Sequence, residues 1–146
     1  MKLDDSKIRD AFKAIHTDTL TRDNAAVIID VARFAASVDG RMDMAEMATV
    51  ARLSKILYAM AGEPDAPVPS TPMAAGWLDQ IRGKLTGPGP RELAYACARL
   101  VILVDRKVTK EETELATKLS ENLGLAATRV QELDRQVDGL VAPPKA

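Results

Sequence analysis

Apolar residues recur along this chain at the three- and four-residue spacing of helices, and no stretch shows the sustained alternation of a half-buried strand. Ile8, Phe12 and Ile15 fall on one face of a short first segment, for which Asp4, Asp5 and Ser6 offer N-caps. Thr21 or Asp23 then opens NAAVIIDVARFAASVD, which is apolar on most faces apart from Asp30 and Arg33 and is expected to run through the centre. Asp39-Gly40 breaks it. Asp43 starts the next helix, with Met47, Val50, Leu53, Ile56 and Leu57 at helical spacing and Gly62 as its stop. From Gly62 to Gly76 the chain reads GEPDAPVPSTPMAAG, and four prolines in that span predict a loop or linker. A short helix around Trp77–Lys84 and the breaker GPGP follow. Pro90 suits the first position of a second central helix, RELAYACARLVILVD. Thr109 begins a helix through Leu115 and Leu119 that Gly124 closes, and a last amphipathic helix carries Val130, Leu133, Val137 and Leu140. The pattern predicts an all-α single domain over residues 1–146, a compact bundle of about six or seven helices.

One nine-residue stretch occurs twice in outline: VDGRMDMAE at 38–46 and VDRKVTKEE at 104–112, an offset of 66 (104 − 38). The same offset aligns Ala32 with Ala98, Arg33 with Arg99, Leu53 with Leu119, Ser54 with Ser120 and Leu57 with Leu123. Apolar residues also meet apolar ones at Ile28/Ala94, Val31/Cys97, Phe34/Leu100 and Met42/Val108. The repeating unit is a mostly buried helix, a tight polar turn and an amphipathic helix. The copies are expected over about 22–61 and 90–124, separated by the Pro-rich 62–76 and followed by a C-terminal helix over about 126–140. Neither copy can hide its own apolar faces, so the two should pack together with pseudo-two-fold symmetry.

The turn carries the candidate chemistry. Asp43-Met-Ala-Glu46 and Thr109-Lys-Glu-Glu112 each fit a capping box, in which the first side chain accepts from the backbone N–H three residues on and the Glu reaches back. That accounts for the caps and the glutamates, but not for Asp39 and Asp105. Each ends an apolar helix, where the negative end of the macrodipole disfavours a carboxylate by about 0.3–1 kcal/mol. A turn hydrogen bond, a neighbouring cation (Arg33/Arg99 or Arg41/Lys107) or a bound metal ion would compensate. The stretch DGRMDMAE imitates the second half of a calcium loop, with Asp39, Asp43 and Glu46 at ligand positions. Its first half is missing: the first two ligand positions would be Ala35 and Ser37, and Val101 and Leu103 in the second copy. A full EF-hand is excluded, and what the residues allow is a weak hard-cation site completed by water or by the other turn.

Composition removes most other classes. The chain has 146 residues, 47% hydrophobic but only 3% aromatic, which favours close helix packing over a β-sandwich. With 20 basic and 21 acidic residues there is no cation excess to displace counterions from a nucleic acid. The start MKLDDSKIRD lacks the apolar stretch of a signal peptide and no run approaches a membrane span, so a cytoplasmic protein is expected. The lone His16 cannot form a paired Glu-x-x-His site, Cys97 on an apolar helix reads as core, and LTGPGP lacks the Lys-Ser/Thr of a phosphate loop. No nucleophile–base constellation is present, and no enzyme is expected. Arg33 and Arg99 should pair with carboxylates or reach solvent, Ser54 and Ser120 should act as small packing residues, and Trp77 should anchor its segment on the core. Met42, Met44 and Met47 cluster beside the first turn, an adaptable surface for partners, although at least two of the three are expected to serve the core.

A buried helix ending in Asp-Gly, then a basic residue, an apolar residue, an Asp/Ser/Thr cap and a Glu three later, resembles the TerB-like family. This is the family named for the bacterial tellurite-resistance operon, with related domains in some membrane-anchored J-domain co-chaperones. The closest segment is ARFAASVDGRMDMAEMATVARL, and ARLVILVDRKVTKEETELATKL looks like the same pattern degraded. The resemblance implies an all-helical domain without enzymatic activity, linked to tellurite and chemical stress responses. It also implies metal binding through acidic residues, a divalent cation such as Ca²⁺ or Mg²⁺ at Asp39, Asp43 and Glu46, with Asp105 and Glu112 in the second copy. Arg106 stands where the motif prefers Gly, and Thr109 removes one carboxylate. Protein partners, with peripheral association with an envelope complex, follow from the same resemblance. The alternative is a metal-independent scaffold that uses an apolar groove between helices.

Overall fold

Helices form where the apolar spacing predicts them. The computed structural model describes residues 4–15, 20–37, 44–63, 77–85, 87–104 and 110–141, and among them the chain is helical with no strand. Six helices have 11 to 17 residues: α1 (Asp5–Ile15), α2 (Arg22–Ser37), α3 (Met44–Met60), α5 (Pro88–Leu103), α6 (Lys110–Asn122) and α7 (Ala127–Val141). A 3-10 turn over Leu78–Gln80 leads into the four-residue α4 (Ile81–Lys84). The Pro-rich span from residue 64 to 76 lies outside the described residues, as do the turns at 38–43 and 105–109 and His16.

Local chemistry explains the helix ends. Asp4 Oδ1 accepts from the Ser6 backbone N–H at 2.9 Å and caps α1, and Thr21 Oγ1 accepts from Asn24 N–H at 3.1 Å and opens α2. Of the two residues that could start α2, Thr21 is therefore the cap. Gly62 and Gly124 end α3 and α6 in the same way, with φ of 77° and 70°. Glu63 N–H reaches Tyr58 O at 2.7 Å and Gly62 N–H reaches Ala59 O; Leu125 N–H and Gly124 N–H repeat those bonds to Ser120 O and Glu121 O. This is the Schellman arrangement, and the left-handed residue at its centre is where glycine carries no Cβ penalty. The start of α5 differs from expectation. The helix begins at Pro88, two residues before Pro90. First-turn N–H groups have no intrahelical acceptor, so Pro-Gly-Pro costs no hydrogen bond there and a run that reads as a breaker serves as a helix start.

The core is organised around α5. It packs most extensively on α2, then on α7 and α6, and also touches α3 and α1. Ten of its side chains are buried, from Pro90 to Ile102, including Cys97. Helix α2 contributes Ile28, Ile29, Val31, Ala32, Ala35 and Ala36, and α1 seats Ile8 and Phe12. Seven of the buried side chains of these two helices are alanines, and small residues let packed helices approach closely. Trp77 is buried and stacks on Phe34 at a ring-centroid distance of 6.1 Å, anchoring the segment after the Pro-rich span on α2. Arg129 ties α7 to α5 through Glu92 at 2.6 Å. No helix among the described residues is long and apolar enough to cross a membrane.

Candidate functional site

Two of the five predicted cation ligands lie among the described residues. Glu46 and Glu112 are each the third residue of their helices, α3 and α6, and only 2% and 1% exposed. A carboxylate folded back over the first turn has that position and that burial, and its charge sits favourably against the positive end of the helix dipole. Both side chains are thus turned into the protein. Asp39, Asp43 and Asp105 fall outside the described residues, and among those described no group of three or more His, Cys, Asp or Glu side chains is placed to hold a metal ion. Met44 and Met47 correct the sequence reading: they are 86% and 53% exposed, so they do not serve the core. Their positions on α3 face away from the stripe that carries Val50, Leu53 and Leu57 into the core. Met42 lies outside the described residues.

The structure brings together a second group that periodicity does not reveal. A cleft of about 210 Å³ opens between α5, α6 and α7. On the α5 side Tyr95 O–H donates to Asp134 Oδ1 of α7 at 2.7 Å. Arg99 lies with Nε 3.5 Å from the same carboxylate and donates from Nη2 to Asp138 Oδ1 at 3.4 Å. Asp134 thus accepts from a phenol and faces a guanidinium at once. Burial, and then the bond to Asp134, raise the Tyr95 hydroxyl well above its ordinary pKa of 10.0, so it stays a proton donor at any physiological pH. Across the cleft α6 presents Thr117 and Ser120, whose hydroxyls donate to the helix carbonyls Thr113 O at 3.2 Å and Thr117 O at 2.8 Å. Glu112 and the apolar residues Ile102, Ala116 and Val130 also line it.

The expected fates of the other singled-out residues are now clear. Arg99 pairs with carboxylates, and so does Arg33, whose Nη1 is 2.7 Å from Asp30 Oδ1 within α2. Ser54 is buried and donates to Val50 O, a packing role; Ser120 is half-buried and lines the cleft instead. Cys97 is fully buried, and burial raises its thiol pKa well above the ordinary 9.0, which removes it from nucleophilic chemistry. Tyr95, Asp134 and Asp138 were legible only as a tyrosine inside an apolar run and an acidic i, i+4 pair beside the stripe of α7. Comparison with protein-family models, with curated proteins and with solved structures finds no match to this chain.

Proposed function

We propose that the chain is a non-catalytic helical module of the TerB-like kind, built from two copies of a helix pair, that binds protein partners in a stress-related complex, in the cytoplasm or at the envelope. The observation that carries this reading is the coincidence of helix bounds and burial at the offset of 66. Helices α2 and α5 begin and end 66 residues apart (88 − 22 and 103 − 37), and α3 and α6 begin 66 apart (110 − 44). The buried positions Glu46, Thr49, Val50, Leu53 and Leu57 have buried counterparts in Glu112, Leu115, Ala116, Leu119 and Leu123. Two acidic sequences, each joining the helices of one proposed copy, support a divalent cation, Ca²⁺ or Mg²⁺, at Asp39, Asp43 and Glu46, with Asp105 and Glu112 as the weaker copy. Calorimetric titration with Ca²⁺, Mg²⁺, Mn²⁺ and Zn²⁺ tests that part. Saturable heat that Asp39→Ala abolishes is expected; silence at millimolar metal, or heat unchanged in both Asp39→Ala and Asp105→Ala, removes the cation from the proposal.

The exposure of Met44 and Met47 favours a second reading, a metal-independent scaffold whose apolar contact lies beside the first turn. Unbranched, polarizable methionine side chains adapt to varied partner surfaces, and two of them standing in water three residues apart on one helix are an unusual use of apolar area. Pull-down with and without chelator separates the two. Partners lost on chelation support the cation reading, whereas partners retained on chelation and lost in Met44→Ser/Met47→Ser support the scaffold.

A further inference from the structure

The geometry points to the α5–α6–α7 cleft as a binding site for a primary ammonium group carried on a short aliphatic stem. The inference is independent of the acidic turns and of any metal there. It begins from where the protons already are. Tyr95 O–H is committed to Asp134, and the hydroxyls of Thr117 and Ser120 are committed to helix carbonyls. Each of those oxygens therefore turns lone pairs, not protons, toward the open space. The Asp134 carboxylate adds further acceptor capacity at the same wall, because two oxygens offer about four lone-pair sites and the two contacts named fall on Oδ1.

Charge selects the ligand in the same direction. Among the described residues that line the cleft the cation is Arg99, which stands between Asp134 and Asp138 of α7. One guanidinium shared by two carboxylates leaves this corner with a net negative charge, which disfavours a small anion and attracts a cation. An ammonium supplies three donors to a wall of acceptors, a match that a neutral alcohol cannot make. Beside that wall Ile102, Ala116 and Val130 offer apolar surface for the methylenes behind the charge. A volume of about 210 Å³ accommodates a stem of about four carbons, the length of a lysine side chain or of a small aliphatic amine. Those two sources share one chemistry, and the titration distinguishes them.

The test is a titration of the full-length protein with n-butylammonium, followed by backbone amide chemical shifts, beside n-butanol, butyrate and N-acetyl-lysine amide. Saturable shifts in the millimolar range are expected for n-butylammonium, clustered on α6 and α7 around Thr117, Ser120 and Asp134, with none for n-butanol or butyrate. Equal or stronger saturation by N-acetyl-lysine amide identifies a lysine side chain as the source, and its failure beside a binding butylammonium identifies a free amine. Asp134→Asn should weaken the interaction about tenfold, the loss of one charge-assisted contact. Thr117→Val, at an exposed position where folding is not at stake, should weaken it as well and decides the matter if Asp134→Asn proves unstable. Binding of n-butanol as strong as that of n-butylammonium, shifts that do not saturate, or undiminished affinity in both variants would overturn the inference.

Discussion

The Tyr95–Asp134 bond makes a quantitative claim about how α7 is held. Its donor is buried and its acceptor ionised, and at 2.7 Å it is short enough to be charge-assisted. Such bonds contribute about 1.5–3 kcal/mol when lost. Asp134 keeps 29% of its side-chain surface in water, so solvent can replace part of what Tyr95 supplies, and the lower end, about 1.5 kcal/mol, is the expected figure. For a chain of this length Tyr95→Phe should lower Tm by about 3–6 °C. Single variants do not isolate the bond, because Asp134→Ala also strips a carboxylate from Arg99. A double-mutant cycle of Tyr95→Phe and Asp134→Ala, read by urea unfolding with m-values held constant, does isolate it. The expected coupling is about 1–1.5 kcal/mol. A coupling below about 0.5 kcal/mol, the error of such cycles, would mean that this bond does not help to hold α7 and that the polar wall of the cleft is incidental.

Other consequences are equally direct. Gly62→Ala and Gly124→Ala each place a side chain at positive φ and should cost roughly 1–2 kcal/mol; Gly62 has open space around it, so Gly62→Asn should recover part of the loss, and a neutral Gly62→Ala would contradict the cap described. Leu53→Ala and Leu119→Ala, both fully buried at matching places on α3 and α6, should each cost about 2–5 kcal/mol in chemical unfolding; a cost under about 1 kcal/mol at Leu119 alone would mean that α6 is not docked as α3 is. Alkaline pH should destabilise the fold. Burial raises the Cys97 thiol above 9.0, and burial with the Asp134 bond raises Tyr95 above 10.0, so in each case the unfolded chain releases its proton first. Stability is whole below those ordinary values and falls by up to about 1.4 kcal/mol per pH unit per group above them. Cys97→Ala should flatten the first part of that fall and Tyr95→Phe the later part, measured as urea midpoints across the pH range.

The helices were readable because each has an apolar stripe of the right period, and α2, α5 and their amphipathic partners α3, α6 and α7 fall within a few residues of the spans their periodicity marks. The misreading of α5's start has a local cause. Pro88 was weighed as part of a breaker and only Pro90 as a helix start, although proline in a first turn breaks nothing. Met47 was read as part of the stripe of α3 because it stands three residues before Val50, but it falls at the edge of that stripe and Met44 falls opposite it, and both are exposed. The polar cleft was hidden for another reason. Tyr95 and Asp134 are 39 residues apart, and no local rule links a tyrosine inside an apolar helix to an aspartate on another. Glu46 and Glu112, by contrast, were placed in the first turns of their helices by spacing alone, since a capping box is a local motif, and both are buried there.

Under the proposed duplication, the two arginines at the offset of 66 show how the copies diverged. Six of the seven buried positions of α2 have buried counterparts on α5, so the shared face is the same. The difference lies on the opposite side, where Val27, Asp30 and Phe34 of α2 are half-buried and their counterparts Leu93, Ala96 and Leu100 of α5 are fully covered. On α2 the arginine pairs within its own helix, Arg33 with Asp30 three residues before it. On α5 that aspartate is replaced by Ala96, which turns Arg99 outward to Asp134 and Asp138 of α7. Removing one carboxylate from the helix therefore does two things at once. It leaves a small apolar residue that α7 can cover, and it releases a guanidinium to clamp the helix that covers it. Tyr95, where α2 has Ile29, completes the clamp. The polar cleft is the space left beside that clamp, where α7 brings its own carboxylates against α5.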